Sequence, residues 1–536
     1  MQRFILLPLL ALTALAVYKI VSIVVTRIQN ASKSRQLGCE DPPAVADCGF
    51  MGLKQLKDIQ AADKARMFPD FLEDRQKKVS KQHGREVSTF TYNVMGQKIY
   101  FTSDPKNIQA LLATQFQDFG VGSVRFAIMG EVLGDGIFVQ DGKKWEHSRA
   151  LLRPNFVREQ ISDLDMEERH VQSLLKVMPV QKDGWTKFTD IQTLFFRLTI
   201  DAATEFLFGE SVDSQLAEAE VVDVSTGKSA DQERNERNFS KHFDHAQLVM
   251  ATKFRLVDLH WLHNPPEYKI DNKIVNDFVK HYVELALQKS PSEKKIEEGH
   301  GQKEKYVFLE ALAQQTRDPV ELRAQLLNIL LAGRDTTSSL LSWTFHQLLR
   351  NPSVFAKLRS TIIETFGTYD NPTDITFSTL KSCQYLQYTL NEVLRLWTIV
   401  PGNGRQSNRP TTLPRGGGPD GSKPIFLPAG QQVDYSIHVM HRRKDIWGDD
   451  ALEFKPERFF GKRPGWEFLP FNGGPRICIG QQFALTEASY VLVRLLQRFD
   501  AIEAAPGELE GPVTSNLTLT SCPARPVTLR LREARD

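Results

Sequence analysis

The sequence predicts a mainly helical domain with a smaller β-rich part, preceded by one N-terminal transmembrane helix. Three observations carry this reading. Phe4 to Val25 is almost continuously apolar, and about 20 such residues cross a bilayer core as a helix. From about residue 105 to 400 the pattern is mainly helical. Residues 87–102, 425–439 and 512–532 instead show β-like character, with alternation or β-branched and aromatic side chains.

The apolar N-terminal run is broken only by Pro8, Thr13, Tyr18, Lys19 and Ser22. Arg27, Lys33 and Arg35 follow it, against Arg3 alone before it, so the positive-inside rule puts the bulk of the chain on the cytosolic side. Lys19 lies toward the C-terminal end of the run and can snorkel. A cleaved signal peptide with Ala14-Leu15-Ala16 as processing site is the competing reading. The run continues past that point to Val25, which favours an uncleaved anchor. The expected organisation is an anchor over 1–26, a basic and proline-containing hinge over 27–50, and a catalytic domain over 51–536. Pro42-Pro43 stiffens the hinge, though an ordinary linker would read the same way.

Within the domain, Val87 to Val94 and Lys98 to Thr102 read as a hairpin turning at Met95-Gly96. Residues 213–238 read as a solvated connection, and 411–424 as a Gly/Pro-rich stretch ahead of the second β patch. The clearest long helix runs from Leu322 to Leu348, with apolar or small residues recurring at helical spacing.

Composition bounds the function. The chain has 536 residues, 41% hydrophobic and 25% charged, with a net charge of +2, so composition gives no argument for a nucleic-acid partner. The five cysteines are odd in number and irregularly spaced, which argues against a disulfide framework or a zinc site and suits a reducing compartment. Gly227-Lys228-Ser229 lacks the upstream glycine of a phosphate loop, since Val222 stands there. Asn30-Ala31-Ser32 and Asn516-Leu517-Thr518 fit the glycosylation pattern, which a cytosolic domain would leave unused at Asn516.

Cys478 carries the most information. It sits in Phe471-Asn472-Gly473-Gly474-Pro475-Arg476-Ile477-Cys478-Ile479-Gly480, just before a long apolar helical run. A thiol at a helix N-terminus beside a fixed cation is expected to have a lowered pKa, and a thiolate in a dry pocket is a strong ligand for haem iron. The bland alternative is a buried structural cysteine. The long helix carries Ala332-Gly333-Arg334-Asp335-Thr336-Thr337 at its centre, a poor helix-forming set. A buried threonine hydroxyl there can bond the carbonyl four residues back. A core helix with a polar kink is the plain reading. Glu392 and Arg395 share a helix face and alone would read as a surface ion pair. Trp145 and Arg149 likewise share a face.

These motifs together resemble the cytochrome P-450 superfamily. The Cys478 segment fills every fixed position of its haem-ligand signature. Ala332 to Thr336 matches its oxygen-binding helix motif, Glu392 to Arg395 its Glu-x-x-Arg motif, and Trp145 to Arg149 its Trp-x-x-x-Arg motif. The resemblance implies that Cys478 ligates the iron of a haem b. That haem is non-covalent, because Ala332 stands where covalent attachment uses a glutamate. It implies haem contacts from Trp145, Arg149, Arg405 and Arg476, and a proton relay of Asp335 and Thr336. It also implies a buried cluster of Glu392, Arg395 and Arg458 that supports the cysteine loop without taking part in chemistry. The implied partners are an NADPH-dependent reductase, cytochrome b5 as a further candidate, a hydrophobic substrate and the membrane. The implied location is the endoplasmic reticulum, single-pass, with the domain facing the cytosol.

A narrower resemblance lies in Leu133 to Phe138, Asp141-Gly142, His147 to Arg149, Leu152 to Pro154, Leu413 to Gly421 and His441-Arg442. These look like the fungal branch that hydroxylates n-alkanes and fatty acids, and imply terminal hydroxylation of such chains. The alternatives are a tailoring monooxygenase for a lipid-like fungal metabolite, a haem-thiolate isomerase or dehydratase, and a non-catalytic haem-binding receptor. Asp335-Thr336 speaks against the last two.

Overall fold

The first helix, Gln2–Gln36, does not stop where the apolar run stops. Nothing between Arg27 and Gln36 breaks a helix, so the basic residues expected in a hinge form its last turns instead. Gly38, at φ 63°, ends it. The Cys39 N–H donates to Ser34 O at 2.9 Å and the Gly38 N–H to Arg35 O at 3.0 Å, the paired bonds of a Schellman cap. The stretch from Leu12 to Gln36 is long and apolar enough to cross a membrane. The proline segment that follows is tied to the sheet. The Thr91 N–H donates to Pro43 O and the Val45 N–H to Thr91 O, both at 2.8 Å.

A computed structural model describes residues 2–157, 163–217, 230–288 and 306–535. Gly227-Lys228-Ser229 and most of the connection expected before it lie outside the described residues. The chain divides into two units: Met1–Gln55, Glu73–Gly120 and Asn403–Ser436 make the first, and the remaining segments the second.

The first unit holds the N-terminal helix and a five-stranded sheet. Its hairpin pairs Thr89–Val94 with Gln97–Thr102 in antiparallel register, Thr89 opposite Thr102 and Val94 opposite Gln97. Met95 and Gly96 both take positive φ, 51° and 80°, which is the two-residue turn that matches strand twist. Gln432–Ser436 adds in parallel to Gln97–Thr102, followed by Gly402–Ser407 and Phe119–Gly120. Thr411–Gly417 and Lys423–Leu427 form a separate hairpin, so the Gly/Pro-rich stretch is itself a strand. A side chain at Gly416, φ 110°, would meet Thr89 Cβ at 2.6 Å. The β patch expected to reach 439 ends at Ser436, because Ile437–Arg442 is helical.

The second unit is built around a 32-residue central helix, Pro319–Arg350. It starts three residues earlier than its apolar pattern because the Asp318 carboxylate accepts the Val320 N–H at 2.9 Å and Pro319 stands in the first turn. Asn351-Pro352 stops it. Leu322, Leu326, Leu330, Leu340, Leu341, Trp343 and Leu348 are buried. Trp343 stacks on Trp397 at 4.2 Å and donates from Nε1 to Ser521 O at 3.1 Å. Burying such a stripe removes about 1.5–3 kcal/mol of exposed apolar surface per large side chain. The helices Ile191–Phe208 and Gln481–Arg498 pack beside it. Ala230–Arg255 is also helical, so the solvated connection expected through residue 238 gives way to helix at Ala230. The tail forms short strands, Ser515–Leu517, Ser521–Pro523 and Thr528–Glu533.

Candidate active site

Cys478 occupies a tight bend whose shape follows from its glycines. Asn472 and Gly474 take positive φ, 63° and 67°. The Cys478 N–H donates to Phe471 O at 3.0 Å, closing the loop. Helix Gln481–Arg498 begins just after it, with Gly480 as its cap residue. The sulfur's residue opens on a cavity of about 700 Å³, lined by Trp145, Arg149, Arg153, Phe156, Val157, Ile477 and Cys478 among others. That volume lies within the roughly 300–1,000 Å³ of cofactor and ligand sites.

The thiol departs from the sequence expectation. Burial pushes the Cys478 pKa up, while the Gly480 N–H and the Arg149 charge pull it down. Cys478 is exposed where it faces the cavity, but protein atoms crowd it on its other sides, and their desolvation outweighs the Gly480 N–H and the Arg149 cation. The cation that acts on it is Arg149, not Arg476 two residues before it. Arg476 is committed elsewhere: it donates from Nη2 to Asp141 Oδ1 at 2.7 Å and to Gln140 O at 2.8 Å. Its guanidinium also lies 4.5 Å from the Trp145 ring centre.

Trp145 and Arg149 come from the helix Gly142–Leu152. Arg149 donates from Nη1 to Ile477 O at 3.0 Å, bracing the residue before the cysteine. Desolvation lowers its pKa first, with Cys478 opposing and Arg153 adding to the drop. Arg153, one helical turn on, gives the cavity a second guanidinium. Its spacing of four from Arg149 was the available signal for it. A sulfur donor, two guanidinium groups and an apolar remainder of Trp145, Phe156, Val157, Ile477 and Ile479 fit a flat, apolar, dianionic group such as haem.

Arg405 lies in the other unit, buried on the strand Gly402–Ser407. It donates from Nη1 to Gly404 O at 2.8 Å, and its guanidinium lies 5.7 Å from the Tyr435 ring centre.

Asp335 and Thr336 stand mid-way along the central helix. Thr336 Oγ1 donates to Ala332 O at 2.7 Å, the back-bond anticipated from its type. Asp335 is buried, and burial raises its pKa to about 6. Arg334 opposes that rise and Asp244 adds to it. A side chain at Gly333 would meet only Ala203 Cβ at 3.7 Å, so protein packing alone does not demand glycine there.

Glu392, Arg395 and Arg458 meet in the second unit. Arg395 donates from Nε to Glu392 Oε2 at 2.7 Å and from Nη2 to Oε1 at 2.9 Å, both side chains fully buried. Arg458 Nε reaches Glu392 Oε1 at 3.3 Å. Arg395 Nη1 donates to the carbonyls of His441 and Ala451 at 2.8 and 2.7 Å. The planar fork thus spends its donors on one carboxylate and on the meandering backbone between residues 441 and 453.

The segment 133–148 has a physical reason as well. A side chain at Gly136 would fall 2.3 Å from Asn328 Nδ2 on the central helix. Asn328 donates to Leu133 O at 3.1 Å and accepts the Phe138 N–H at 3.1 Å. Gln325 Nε2 donates to Ser148 Oγ, and Ser148 Oγ to Gln140 Oε1, each at 2.6 Å. This chain of bonds fixes the loop before the Trp145 helix against the central helix.

A family model described as Cytochrome P450 matches residues 67–524. Cytochrome P450 monooxygenase g430 of Fusarium sp is 49% identical over 97% of this chain and 89% of its own length. Cytochrome P450 52A12 of Debaryomyces hansenii is 45% identical over 92% of each chain. Cytochrome P450 52A1 of Candida tropicalis is 48% identical over 81% of this chain and 78% of its own length.

Proposed function

The chain belongs to the cytochrome P450 family and is a haem monooxygenase fed with NADPH-derived electrons by a reductase; on that premise we propose that it hydroxylates the terminal carbon of n-alkanes or fatty acids. The observation that carries the proposal is the cavity that joins Cys478 to Trp145, Arg149 and Arg153. The 52A relatives at 45% and 48% identity, together with the branch-like segments 133–154 and 413–421, support the substrate class. The tailoring, isomerase and receptor readings draw no comparable support.

In this proposal Cys478 would ligate the haem iron, and haem, when bound, would supply the oxygen-activating chemistry. Trp145 and Arg149, which line the cavity, would hold the cofactor, with Arg149 also fixing the loop through Ile477 O; Arg405 and Arg476 are further haem contacts on the family resemblance alone. Asp335 carries protons, since a carboxyl with a pKa of about 6 can both load and release them near neutrality. Thr336 Oγ1, parked on Ala332 O, is placed to pass them on. Glu392, Arg395 and Arg458 hold the backbone behind the loop. The substrate is a long apolar chain, and favouring its methyl end over weaker internal C–H bonds calls for a narrow apolar channel; Val121 to Phe126, Leu330 to Ala332 and Val400 are its candidate walls.

The proposal extends to location. The helix through Gln36 anchors the protein in the endoplasmic-reticulum membrane in a single pass, with the domain from residue 51 on the cytosolic side and cytochrome b5 as a second electron donor. The test is spectroscopic and kinetic. The reduced, CO-bound protein should show the absorbance band of thiolate ligation, lost in Cys478→Ala. Reductase-dependent oxygen uptake should rise on adding lauric acid or dodecane. Uptake raised only by non-linear metabolites would refute the substrate class.

A further inference from the structure

Nine residues before the cysteine, the loop is held by a histidine that the proposed chemistry leaves unused. His441, fully buried at the end of the helix Ile437–Arg442, turns its ring toward the Leu469 backbone. The Leu469 N–H donates to His441 Nε2 at 2.9 Å. A ring nitrogen that accepts must be unprotonated, so the proton of the neutral ring sits on Nδ1. Nδ1 lies 3.3 Å from Thr398 Oγ1, which itself donates to Arg395 O at 3.3 Å. The carbonyl of the same histidine accepts from Arg395 Nη1 at 2.8 Å. The ring packs 5.1 Å from Phe468 and 6.3 Å from Trp447, and the Trp447 ring in turn lies 5.2 Å from the Arg395 guanidinium.

These contacts make a continuous line. It runs from Glu392 and Arg395 through both faces of His441 to Leu469. From there the Asn472 N–H donates to Leu469 O at 3.1 Å, and the Cys478 N–H to Phe471 O at 3.0 Å. Besides the Arg476–Asp141 pair, the loop is braced from outside by Arg149 on Ile477 O near its end and by His441 on Leu469 N at its entrance.

We infer that His441 is a positioning residue for Cys478: its Nε2 fixes the Leu469 amide and so transmits the rigidity of the buried Glu392–Arg395–Arg458 cluster into the cysteine loop. The inference rests on Cys478 being the iron ligand. Burial, and then the Arg395 charge, hold the His441 pKa down at about 3, so the acceptor persists across the working range. Phenylalanine could fill the same space but accept nothing; glutamine could accept.

The experiment compares full-length wild type, His441→Phe, His441→Gln and Thr398→Val, each loaded with haem. Two readouts are taken: the thiolate-type absorbance band of the reduced CO complex, and amide exchange across residues 469–478. His441→Phe should lose most of the thiolate band with haem still bound, and exchange at Leu469 should quicken about tenfold. His441→Gln should keep the band and the slow amide. Thr398→Val removes one neighbour of Nδ1 but leaves the Leu394 and Arg395 carbonyls to hold the ring, and should keep both the band and the slow amide; His441→Leu repeats the test if His441→Phe does not fold. A His441→Phe or His441→Leu protein with wild-type band and exchange, or any variant with a fast Leu469 amide and an intact band, overturns the inference. A wild type with no thiolate band defeats the ligand assignment of Cys478 instead, which is a separate failure.

Discussion

Arg334 directs its guanidinium away from its own neighbour and toward Asp244. Both terminal nitrogens engage the Asp244 carboxylate, Nη2 at 3.1 Å from Oδ2, whereas Asp335 Oδ1 lies 3.3 Å from Nη1 and receives no directed hydrogen bond. Asp244 sits on the helix Ala230–Arg255, so one arginine is shared between that helix and the proposed proton carrier.

Burial raises the Asp335 pKa, and the shared arginine and Asp244 adjust it from there. With Asp244→Asn, the guanidinium loses its outer partner and a repelling charge disappears. Both changes favour ionised Asp335, so its pKa should fall from about 6 by about one unit or more. A carrier that must be protonated to deliver loses rate as pH rises through its pKa. The pH profile of turnover should therefore break at lower pH in Asp244→Asn, with the solvent isotope effect rising at neutrality.

Asp335 also costs stability. Its folded pKa is raised from 3.8 to about 6, so the stability it contributes is full below the unfolded value and is lost as pH rises through about 6. Asp335→Asn should raise unfolding free energy by up to about 3 kcal/mol at pH 8, and by little at pH 4. Turnover should drop by about 100-fold. Denaturant unfolding at both pH values, with turnover alongside, checks the pair of effects.

Breaking the buried cluster should be severe. Glu392→Gln leaves the buried Arg395 charge without its carboxylate, while Arg458 keeps Asp450 at 2.8 Å, at a cost of about 3–5 kcal/mol. The variant should bind haem weakly or form the CO complex without the thiolate band.

Gly136→Ala tests the seam between the loop and the central helix. Its Cβ would fall on Asn328, and such overpacking costs about 1–3 kcal/mol. Adding Asn328→Ala should recover part of that loss. Strict additivity in the double-mutant cycle would contradict the contact.

Much of this was legible in the chain because the signals were local. The hairpin turn at Met95-Gly96 and the Thr336 back-bond each depend on a few adjacent residues; the cap at Asp318-Pro319 is as local, but the apolar pattern alone started that helix at Leu322. What escaped depended on partners distant in sequence. Arg476 looked like the counter-charge of Cys478, but Asp141, over 300 positions away, claims it. The direction of the Cys478 shift turned on desolvation, which no short motif records. Thr411–Gly417 was hidden by its glycines, of which Gly416 lets the strand lie against Thr89 and Gly417 against the Glu40 carbonyl. The helix from Ala230 was masked by the charges before Phe239, although the buried Phe239, Phe243, Ala246 and Met250 are at helical spacing. His441 showed only as part of a family-like pair; its bond to Leu469 is a tertiary fact.

The central claim is that this chain inserts one atom of dioxygen into the end of a linear chain. The most direct measurement is product analysis by mass spectrometry. The haem-loaded protein, an NADPH-dependent reductase and NADPH are supplied with dodecane or lauric acid under isotopically labelled dioxygen. The account predicts a terminal alcohol bearing one labelled oxygen, absent with Cys478→Ala. No turnover of either chain, or oxygen derived from water, would contradict it.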